Sequence, residues 1–305
     1  MSFNIHTISP QSGRVAIVTG ANDGLGFQTS LALSKTGMKV VMACRDTDKG
    51  HKAKETILSQ VPEADLEVMQ LDLSKLKAVR KFADDYQKQH ERLDLLINNA
   101  GIMIPPFELT EDGFESQLGV NYLSHFLLTQ RLLPLLEKTE GSRVVSLSSN
   151  AHKNGKIHFE DLQFKKKYSA IAAYSQSKLA CLMFAFELQR RLDSSGSKVI
   201  SVAAHPGMSD TNLFKHVPRW VNTIFGGLIR GMMSQSAEDG AQPTLYAALG
   251  NNIQGGDYTG PDGWQQWKGK PIKVKGTKLA QDKDVAKKLW QESEKLTAIV
   301  SKQKI

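Results

Sequence analysis

Short apolar runs alternate with amphipathic segments along most of this chain. Runs of strand length, rich in β-branched residues, occupy positions 14–19, 39–43, 66–70, 93–97, 142–147 and 198–203. Apolar residues recur with helical spacing in the segments 27–37, 48–60, 76–90, 112–136 and 173–192, and Ser74 is placed to cap the third of these. Strands that alternate with helices predict a parallel sheet covered by helices on both faces. We therefore expect one three-layer α/β/α domain spanning residues 1–305, with its core at about 13–262.

A glycine-rich segment, TGANDGLG at positions 19–26, follows the first strand directly and opens the first helix. Gly20 permits a tight turn, while Gly24 and Gly26 let the backbone approach a pyrophosphate closely. The free N–H groups at the helix N-terminus would then bind the phosphates. In this context the loop predicts a Rossmann-type, doubly wound dinucleotide-binding fold. The loop residues expected to bind the cofactor are Gly20, Asn22, Asp23, Gly24, Leu25 and Gly26.

The end of the second strand bears on the choice of cofactor. An acidic residue at this point binds the ribose 2′-hydroxyl of NAD, whereas an arginine accommodates the 2′-phosphate of NADP. The chain reads Cys44-Arg45-Asp46, so the arginine comes first. We therefore expect Arg45 to bind NADP, and Asp46 keeps NAD as the alternative.

The four remaining predicted strands also end in distinctive motifs. Because the carboxyl ends of parallel strands meet at one edge of a sheet, these motifs are expected to converge on one ligand site. The motifs are Leu71-Asp72-Leu73-Ser74, Asn98-Asn99-Ala100-Gly101, Ser148-Ser149 and His205-Pro206-Gly207.

The segment YSQSK places Tyr174 and Lys178 four residues apart in a predicted helix, so they share one face. A free phenol has a pKa near ~10, and a neighbouring cation favours its ionised form. Such a tyrosine could give a proton to a carbonyl oxygen or take one from an alcohol. A tyrosine and a lysine four residues apart, taken alone, more often lie on a helix surface without a catalytic role. The strand-end motifs favour the catalytic interpretation here.

The net charge of +8 is concentrated at one end of the chain. Residues 265–305 contain 11 lysines, no arginine and four acidic residues. Spaced lysines without arginine or interleaved aromatic residues argue against nucleic-acid binding. We expect a solvated basic segment, with an anionic membrane surface as the alternative partner. A helix around Trp290, residues 286–296, is expected to dock on the domain.

The remaining composition narrows the class of protein further. No apolar run approaches the ~20 residues of a transmembrane helix, and the N-terminus lacks the pattern of a signal peptide. Cys44 and Cys181 form no disulfide framework, and the histidines show no metal-ligand spacing. We expect a cytoplasmic protein without a metal.

Residues 208–236, after the His-Pro-Gly turn, are predicted to form a mobile lid. Their apolar positions favour a hydrophobic substrate or a partner surface, and simple packing onto the domain explains them equally well. The identity of the substrate does not follow from this pattern.

Taken together, TGANDGLG, LDLS, NNAG, Asn121, the Ser148-Ser149 pair, YSQSK and HPG resemble the short-chain dehydrogenase/reductase family. The resemblance covers about residues 13–262. Within the family the chain is similar to the branch of retinol dehydrogenases, WW-domain oxidoreductase and protochlorophyllide reductase. Membrane-bound retinol dehydrogenases carry an apolar anchor before the glycine loop, where this chain is polar. This departure argues against a retinoid substrate and predicts a soluble enzyme.

The resemblance implies NADP(H)-dependent interconversion of an alcohol and a carbonyl on a hydrophobic small molecule. Tyr174 resembles the catalytic acid/base, Lys178 its partner, and Ser149 the donor to the substrate oxygen. Asn121 resembles the residue that holds a proton-relay water, although a kink or cap in the helix would also explain an asparagine there. The alternatives are reduction of a ring double bond and a non-catalytic NADP-binding scaffold, and the resemblance is compatible with a homodimer or homotetramer. It implies further cofactor contacts at Asp72, Leu73, Asn99, Ala100, Gly101, Tyr174, Lys178, Pro206, Gly207 and Thr211.

Overall fold

The computed structural model describes residues 3–208 and 235–298. Within them, eight strands form one sheet in the order β3-β2-β1-β4-β5-β6-β7-β8, and all neighbours are parallel except β7 and β8. The predicted Rossmann-type, doubly wound α/β fold is confirmed. The strands are β1 Val15–Thr19, β2 Lys39–Cys44, β3 Leu66–Gln70, β4 Leu95–Asn98, β5 Arg143–Leu147, β6 Ile200–Ala204, β7 Tyr258–Pro261 and β8 Pro271–Val274.

Helices cover both faces of this sheet. One apolar cluster lies between the sheet and α3, α4, α5 and α7, and the other lies between the sheet and α1, α2 and α6. The central strands pack on both sides, which explains their continuous apolar runs. The helices are α1 Gly24–Ser34, α2 Thr47–Leu58, α3 Leu76–Gln89, a π-helical turn Leu118–Leu123, α4 Ser124–Lys138, α5 Ala170–Ser194, α6 Ala237–Leu249 and α7 Lys283–Leu296, with short 3₁₀ turns at Ile5–Thr7, Asn150–Asn154, Phe159–Asp161, Trp264–Gln266 and Leu279–Gln281.

All six strands predicted from the sequence are present, but α6, β7 and β8 were not predicted. Pro243 lies inside α6, and proline weakens a helical pattern. The four residues of β7 read YTGP and those of β8 read PIKV, so neither strand provides a long apolar run. These strands form because β6 offers β7 an edge to pair with, and β7 in turn offers one to β8.

The predicted helix over residues 112–136 begins later than expected. Gly113 has a φ of +81°, and Leu109 and Glu115 form an isolated antiparallel bridge, so this stretch is a turn. The Asp112 carboxylate accepts a hydrogen bond of 2.7 Å from Leu76 N at the start of α3. The prediction that Ser74 caps α3 was wrong, since Ser74 Oγ instead donates to Asp72 Oδ1 at 2.6 Å.

The basic C-terminal segment is part of the fold over its described length. Residues 271–274 form the edge strand β8, and α7 packs on α5. Residues 265–298 are therefore a folded part of the domain rather than a separate tail, and docking of the Trp290 helix is confirmed. The lysines of this segment are largely exposed, whereas the apolar side of α7 is buried.

Cys44 and Cys181 are both free and buried, and burial raises the pKa of the Cys44 thiol to about 11. In residues 3–208 and 235–298 no helix is long and apolar enough to cross a bilayer. The same residues contain no cluster of three or more histidine, cysteine, aspartate or glutamate side chains arranged to hold a metal ion.

Candidate active site

A cleft of about 670 Å³ opens at the carboxyl edge of the sheet, beyond the ends of β1 to β4. The glycine loop, the end of β2, the turn after β3 and the turn after β4 all contribute to its walls. The strand-end motifs on this half of the sheet therefore converge as predicted. The predicted cofactor-binding residues that line the cleft are Gly20, Asn22, Arg45, Asp72, Leu73, Ala100 and Gly101.

The glycine loop is packed too closely for larger side chains. Gly20 has a φ of +67°, which favours glycine, and its N–H donates to Ala43 O at 2.8 Å. A Cβ atom on Gly26 would lie 2.2 Å from the Gly20 carbonyl oxygen and 2.6 Å from Asn99 Nδ2. Asp23 caps α1 by accepting a 2.8 Å hydrogen bond from Gly24 N. The loop thus leaves backbone, rather than side chains, at the N-terminus of α1, as phosphate binding requires.

Asn99 connects the ends of β1 and β4. Its Nδ2 donates to Thr19 O at 2.7 Å, and its backbone N donates to Thr19 Oγ1 at 2.9 Å. His125 Nε2 lies 2.9 Å from the same hydroxyl, and burial lowers the His125 pKa to about 4. Asn99 does not line the cleft but holds Ala100 in its wall. The roles of Thr19 and His125 were missed because no sequence pattern links them to this turn.

The end of β2 separates the roles of Arg45 and Asp46. Asp46 caps α2 by accepting from Lys49 N at 3.1 Å, and it forms an ion pair with Lys49 Nζ at 3.4 Å. The backbone hydrogen bond from Lys49 is the largest cause that lowers the pKa of Asp46. Arg45 is exposed at the cleft, where Lys49 also lies. The Asp46 carboxylate is thus engaged by its own helix and by Lys49, and Arg45 is a cation that an anionic group in the cleft can reach.

Tyr174 and Lys178 lie on one face of α5 in its first three turns. Lys178 is only 5% exposed; its Nζ donates to Leu147 O at 3.1 Å and lies 6.0 Å from the centroid of the Tyr174 ring. Tyr174 itself is half-buried. The helix begins here because Ser169 caps it, accepting from Ala172 N at 3.4 Å. The predicted pairing of the phenol and the ammonium on a shared face is therefore present.

The two serines after β5 have different environments. Ser148 is 2% exposed, and its Oγ donates to the backbone oxygen of Lys178 at 2.8 Å. Ser149 is half-buried, and its Oγ accepts from Ala151 N at 3.2 Å. The Ser149 hydroxyl can still donate a hydrogen bond, since it accepts rather than donates in this contact. Ser148 instead ties α5 to the end of β5.

Asn121 lies within the π-helical turn that precedes α4. Its Oδ1 accepts from Ile102 N at 2.8 Å, and its Nδ2 donates to Ile102 O and Ser177 Oγ, both at 3.0 Å. A Cβ atom on Gly101 would lie 3.2 Å from Asn121 Oδ1 and 3.4 Å from Lys178 Nζ. The structure thus brings Asn121 and Lys178 together beside Gly101. π-Helical turns occur frequently at functional sites.

The turn after β6 packs against a loop that sequence reasoning missed. Gly207 has a φ of +67°, and a Cβ atom there would lie 2.3 Å from Trp267 O. Met208 N donates to that same oxygen at 2.7 Å, and Gln235 Nε2 donates to Pro206 O at 2.7 Å. Thr211 and residues 209–234 of the predicted lid lie outside the described residues. The roles predicted for this turn therefore rest on Pro206 and Gly207.

The fold and this arrangement of side chains define a class: an α/β protein with a dinucleotide-type loop and a tyrosine–lysine pair at the same edge of the sheet. The family model for short chain dehydrogenases matches residues 14–222. The chain belongs to the short-chain dehydrogenase family, and it is an oxidoreductase that acts on alcohol and carbonyl groups.

Curated relatives match nearly the whole chain. Mouse retinol dehydrogenase 13 is 42% identical over 292 residues, which cover 94% of this chain and 84% of the relative. Mouse polyprenol dehydrogenase is 40% identical over 301 residues, covering 97% and 87% respectively. The predicted resemblance to the retinol dehydrogenase branch is confirmed.

Solved structures share the fold. The crystal structure of an uncharacterized protein from Mycobacterium Paratuberculosis is 41% identical, covers 98% of each chain and superposes with a TM-score of 0.81. The NADP complex of Pseudomonas aeruginosa RhlG is 23% identical, covers 82% of this chain and 94% of that one, and superposes with a TM-score of 0.64. The second likeness bears on the fold alone.

Proposed function

We propose that this protein is an NADP(H)-dependent oxidoreductase that interconverts an alcohol and an aldehyde or ketone on a hydrophobic small molecule. One observation carries the proposal: Lys178 connects the Tyr174 face of α5 to the end of β5, immediately before Ser149. Lys178 Nζ donates to Leu147 O, and Lys178 O accepts from Ser148 Oγ. These two hydrogen bonds fix the start of α5 against the strand end that carries the predicted substrate-binding serine.

In the reductive direction, the hydroxyls of Ser149 and Tyr174 would donate to the carbonyl oxygen of the substrate. Tyr174 would transfer its proton to that oxygen as negative charge develops there. The ammonium of Lys178 would stabilise the phenolate that remains, and a water held near Asn121 would return the proton. NADPH, when bound, supplies the hydride, and the chain supplies orientation and protons.

The cleft fits a dinucleotide phosphorylated at the 2′ position. The close packing of Gly20 and Gly26 leaves backbone facing the space that a pyrophosphate needs, and a larger residue at Gly26 would collide with the loop. Arg45 would bind the 2′-phosphate, while Asp46 caps α2 and pairs with Lys49. These contacts support NADP over NAD. Asp72 and Leu73 would lie beside the adenine, and Pro206, Gly207 and Thr211 would cover the nicotinamide.

The substrate class is inferred from the relatives. The names of the curated relatives specify retinol and polyprenol, which are apolar alcohols. We infer a hydrophobic alcohol or aldehyde for this chain as well. We further propose a cytoplasmic enzyme, supported by two free, buried cysteines, and a homodimer or homotetramer, supported by the resemblance alone.

The test is a Tyr174→Phe variant of the purified protein, assayed for NADPH oxidation with retinal and with aliphatic aldehydes. Loss of the phenolic proton should lower kcat by about 10²–10⁴-fold. NADPH binding, followed by its fluorescence, should stay within about twofold of the wild type. Tyr246→Phe is the matched control, because Tyr246 lies on α6 and its hydroxyl contacts Asn252.

Near-normal turnover by Tyr174→Phe would disprove the proposed mechanism. If the wild-type protein binds NADPH but turns over no alcohol, aldehyde or ketone, the non-catalytic scaffold becomes the better explanation.

A further inference from the structure

A segment of mostly apolar sequence, residues 101–107 (GIMIPPF), runs beside the first turns of α5; we call it the strap. At its start, a Cβ atom on Gly101 would lie 3.4 Å from Lys178 Nζ. Near its end, Pro105 O accepts a 2.9 Å hydrogen bond from Tyr168 OH. The strap therefore runs antiparallel to α5, from Lys178 back past the level of Tyr174 to the residues that precede the helix.

Gln117 holds the middle of the strap against the start of α5. Its Oε1 accepts from Ile104 N at 2.9 Å, and its Nε2 donates to Ala170 O at 3.0 Å and Tyr168 OH at 3.2 Å. Glu115 supports it in turn by accepting a 3.0 Å hydrogen bond from Gln117 N. One buried side chain thus connects the strap, the first residue of α5 and the segment before it.

Ile104 is in the left-handed region, with a φ of +54°. This conformation is uncommon for any residue with a side chain and is a genuine outlier for a β-branched one. Strained residues of this kind persist where the surroundings over-determine them, and they cluster at binding and catalytic sites. The contacts of Gln117 hold Ile104 in this conformation, so the rest of the fold fixes the shape of the strap.

The end of the strap and the first turn of α5 both present exposed apolar surface. Phe107 is 43% exposed and packs edge-on against the Tyr168 ring at 5.1 Å between centroids. Ile171 is 66% exposed and lies three residues before Tyr174, on the same face of α5. We call Phe107, Tyr168 and Ile171 the apolar wall.

We propose that Ile171 and Phe107 are specificity-determining residues that bind the extended hydrocarbon chain of an aliphatic aldehyde or alcohol whose polar end lies at Tyr174. This inference rests on the proposed function and names the substrate class of the same site. Ile171 lies about one helical turn, or about 5 Å along the helix axis, before Tyr174, and the Tyr168–Phe107 contact continues the apolar surface in the segment before α5. A compact substrate would not reach it, and burying the apolar wall under an extended chain explains why it is exposed without one.

The experiment measures kcat/KM with NADPH for saturated aldehydes from butanal to dodecanal. Each methylene that the wall buries should raise kcat/KM by up to about fourfold in the wild type. Ile171→Ser and Phe107→Ser should each lower the dodecanal-to-butanal ratio of kcat/KM by about tenfold. Ile272→Ser is the matched control, because Ile272 is also an isoleucine with an exposed side chain. It lies on the edge strand β8 and is 42% exposed.

The outcomes separate the two proposals. If the wild type reduces these aldehydes but the ratio is the same in Ile171→Ser and Phe107→Ser, the apolar wall does not bind the chain and the inference is wrong. If the wild type reduces no aldehyde or ketone at all, the proposed function fails first. A fall in the ratio in Ile272→Ser as well would also overturn the assignment to the wall.

Discussion

The ammonium group of Lys178 lies between the end of β5 and the turn after β4, with 5% of its side chain exposed. Burying a charge is costly unless hydrogen bonds compensate for it. Leu147 O accepts one hydrogen bond, and an ammonium carries three donors, so two more N–H groups can serve other partners. The proximity of Gly101, Asn121 and the Tyr174 ring gives this burial a functional explanation, whereas a packing role would favour an apolar side chain.

Arg45 provides the test of cofactor preference at the scale of a single residue. Replacing it with alanine should raise the Kd of NADPH about 10–100-fold, because a charge-assisted hydrogen bond contributes about 1.5–3 kcal/mol. NADH lacks the 2′-phosphate, so its Kd should change by less than about threefold. Fluorescence titration of both nucleotides measures the difference.

Arg131→Ala is the matched control, since Arg131 lies on α4 and pairs with Asp84. Equal weakening of NADPH and NADH binding in Arg45→Ala would show that Arg45 does not recognise the 2′-phosphate. A wild type that binds NADH as tightly as NADPH, or more tightly, would assign the choice of cofactor to Asp46.

Among the elements, α5 and α7 show how a terminal helix supports the site. The Trp290 ring of α7 packs against Phe126 of α4 at 4.9 Å and Phe184 of α5 at 5.8 Å between centroids. The Arg191 guanidinium lies 4.2 Å from the centroid of the Trp290 ring. Because α5 carries Tyr174 and Lys178 two turns before this contact begins, α7 stabilises the helix that presents them.

Trp290→Ala should lower the free energy of unfolding by about 3–5 kcal/mol, the usual cost of truncating a buried tryptophan. Urea denaturation followed by circular dichroism would measure the change. Lys287→Ala, at an exposed position of the same helix, should change the free energy by less than about 0.5 kcal/mol. A small effect of Trp290→Ala would mean that α7 is not docked as the structure has it.

At the scale of the whole molecule, buried histidines make stability depend on pH. Burial lowers the pKa of His125 to about 4 and that of His205 to about 3. The unfolded chain takes up these protons near pH 6.5, before the folded protein does, so acid favours unfolding. Each histidine should lower the free energy of unfolding by about 1.4 kcal/mol per pH unit between pH 6 and 4.5.

Urea unfolding at several pH values measures this slope. His125→Asn should reduce it by about 1.4 kcal/mol per pH unit, while His51→Asn, at an exposed position of α2, is the control. An unchanged slope in His125→Asn would contradict the buried neutral state of His125.

Local signals in the chain predicted most of the sheet and most of the residues at its carboxyl edge. Apolar runs identify β1 to β6 because central parallel strands are buried on both faces, and burial leaves a continuous pattern. Gly20, Gly26, Tyr174 and Lys178 could be found because a tight turn and a helix face depend on residues close in sequence. The spacing of four residues is enough to place Tyr174 and Lys178 together.

Tertiary structure decided what depends on residues distant in sequence. β7 and β8 lack a strong pattern of their own and form because β6 offers an edge to pair with. The carboxylate of Asp112 caps α3 across 36 positions, and Gln117 holds Ile104 in a left-handed conformation against the start of α5. The sequence by itself determined the sheet core and the chemistry at its edge, because both follow from local periodicity and residue type. Only the folded chain decided which of two serines is accessible, how Asp46 is engaged and where the apolar wall lies, because each depends on a partner that the fold brings near.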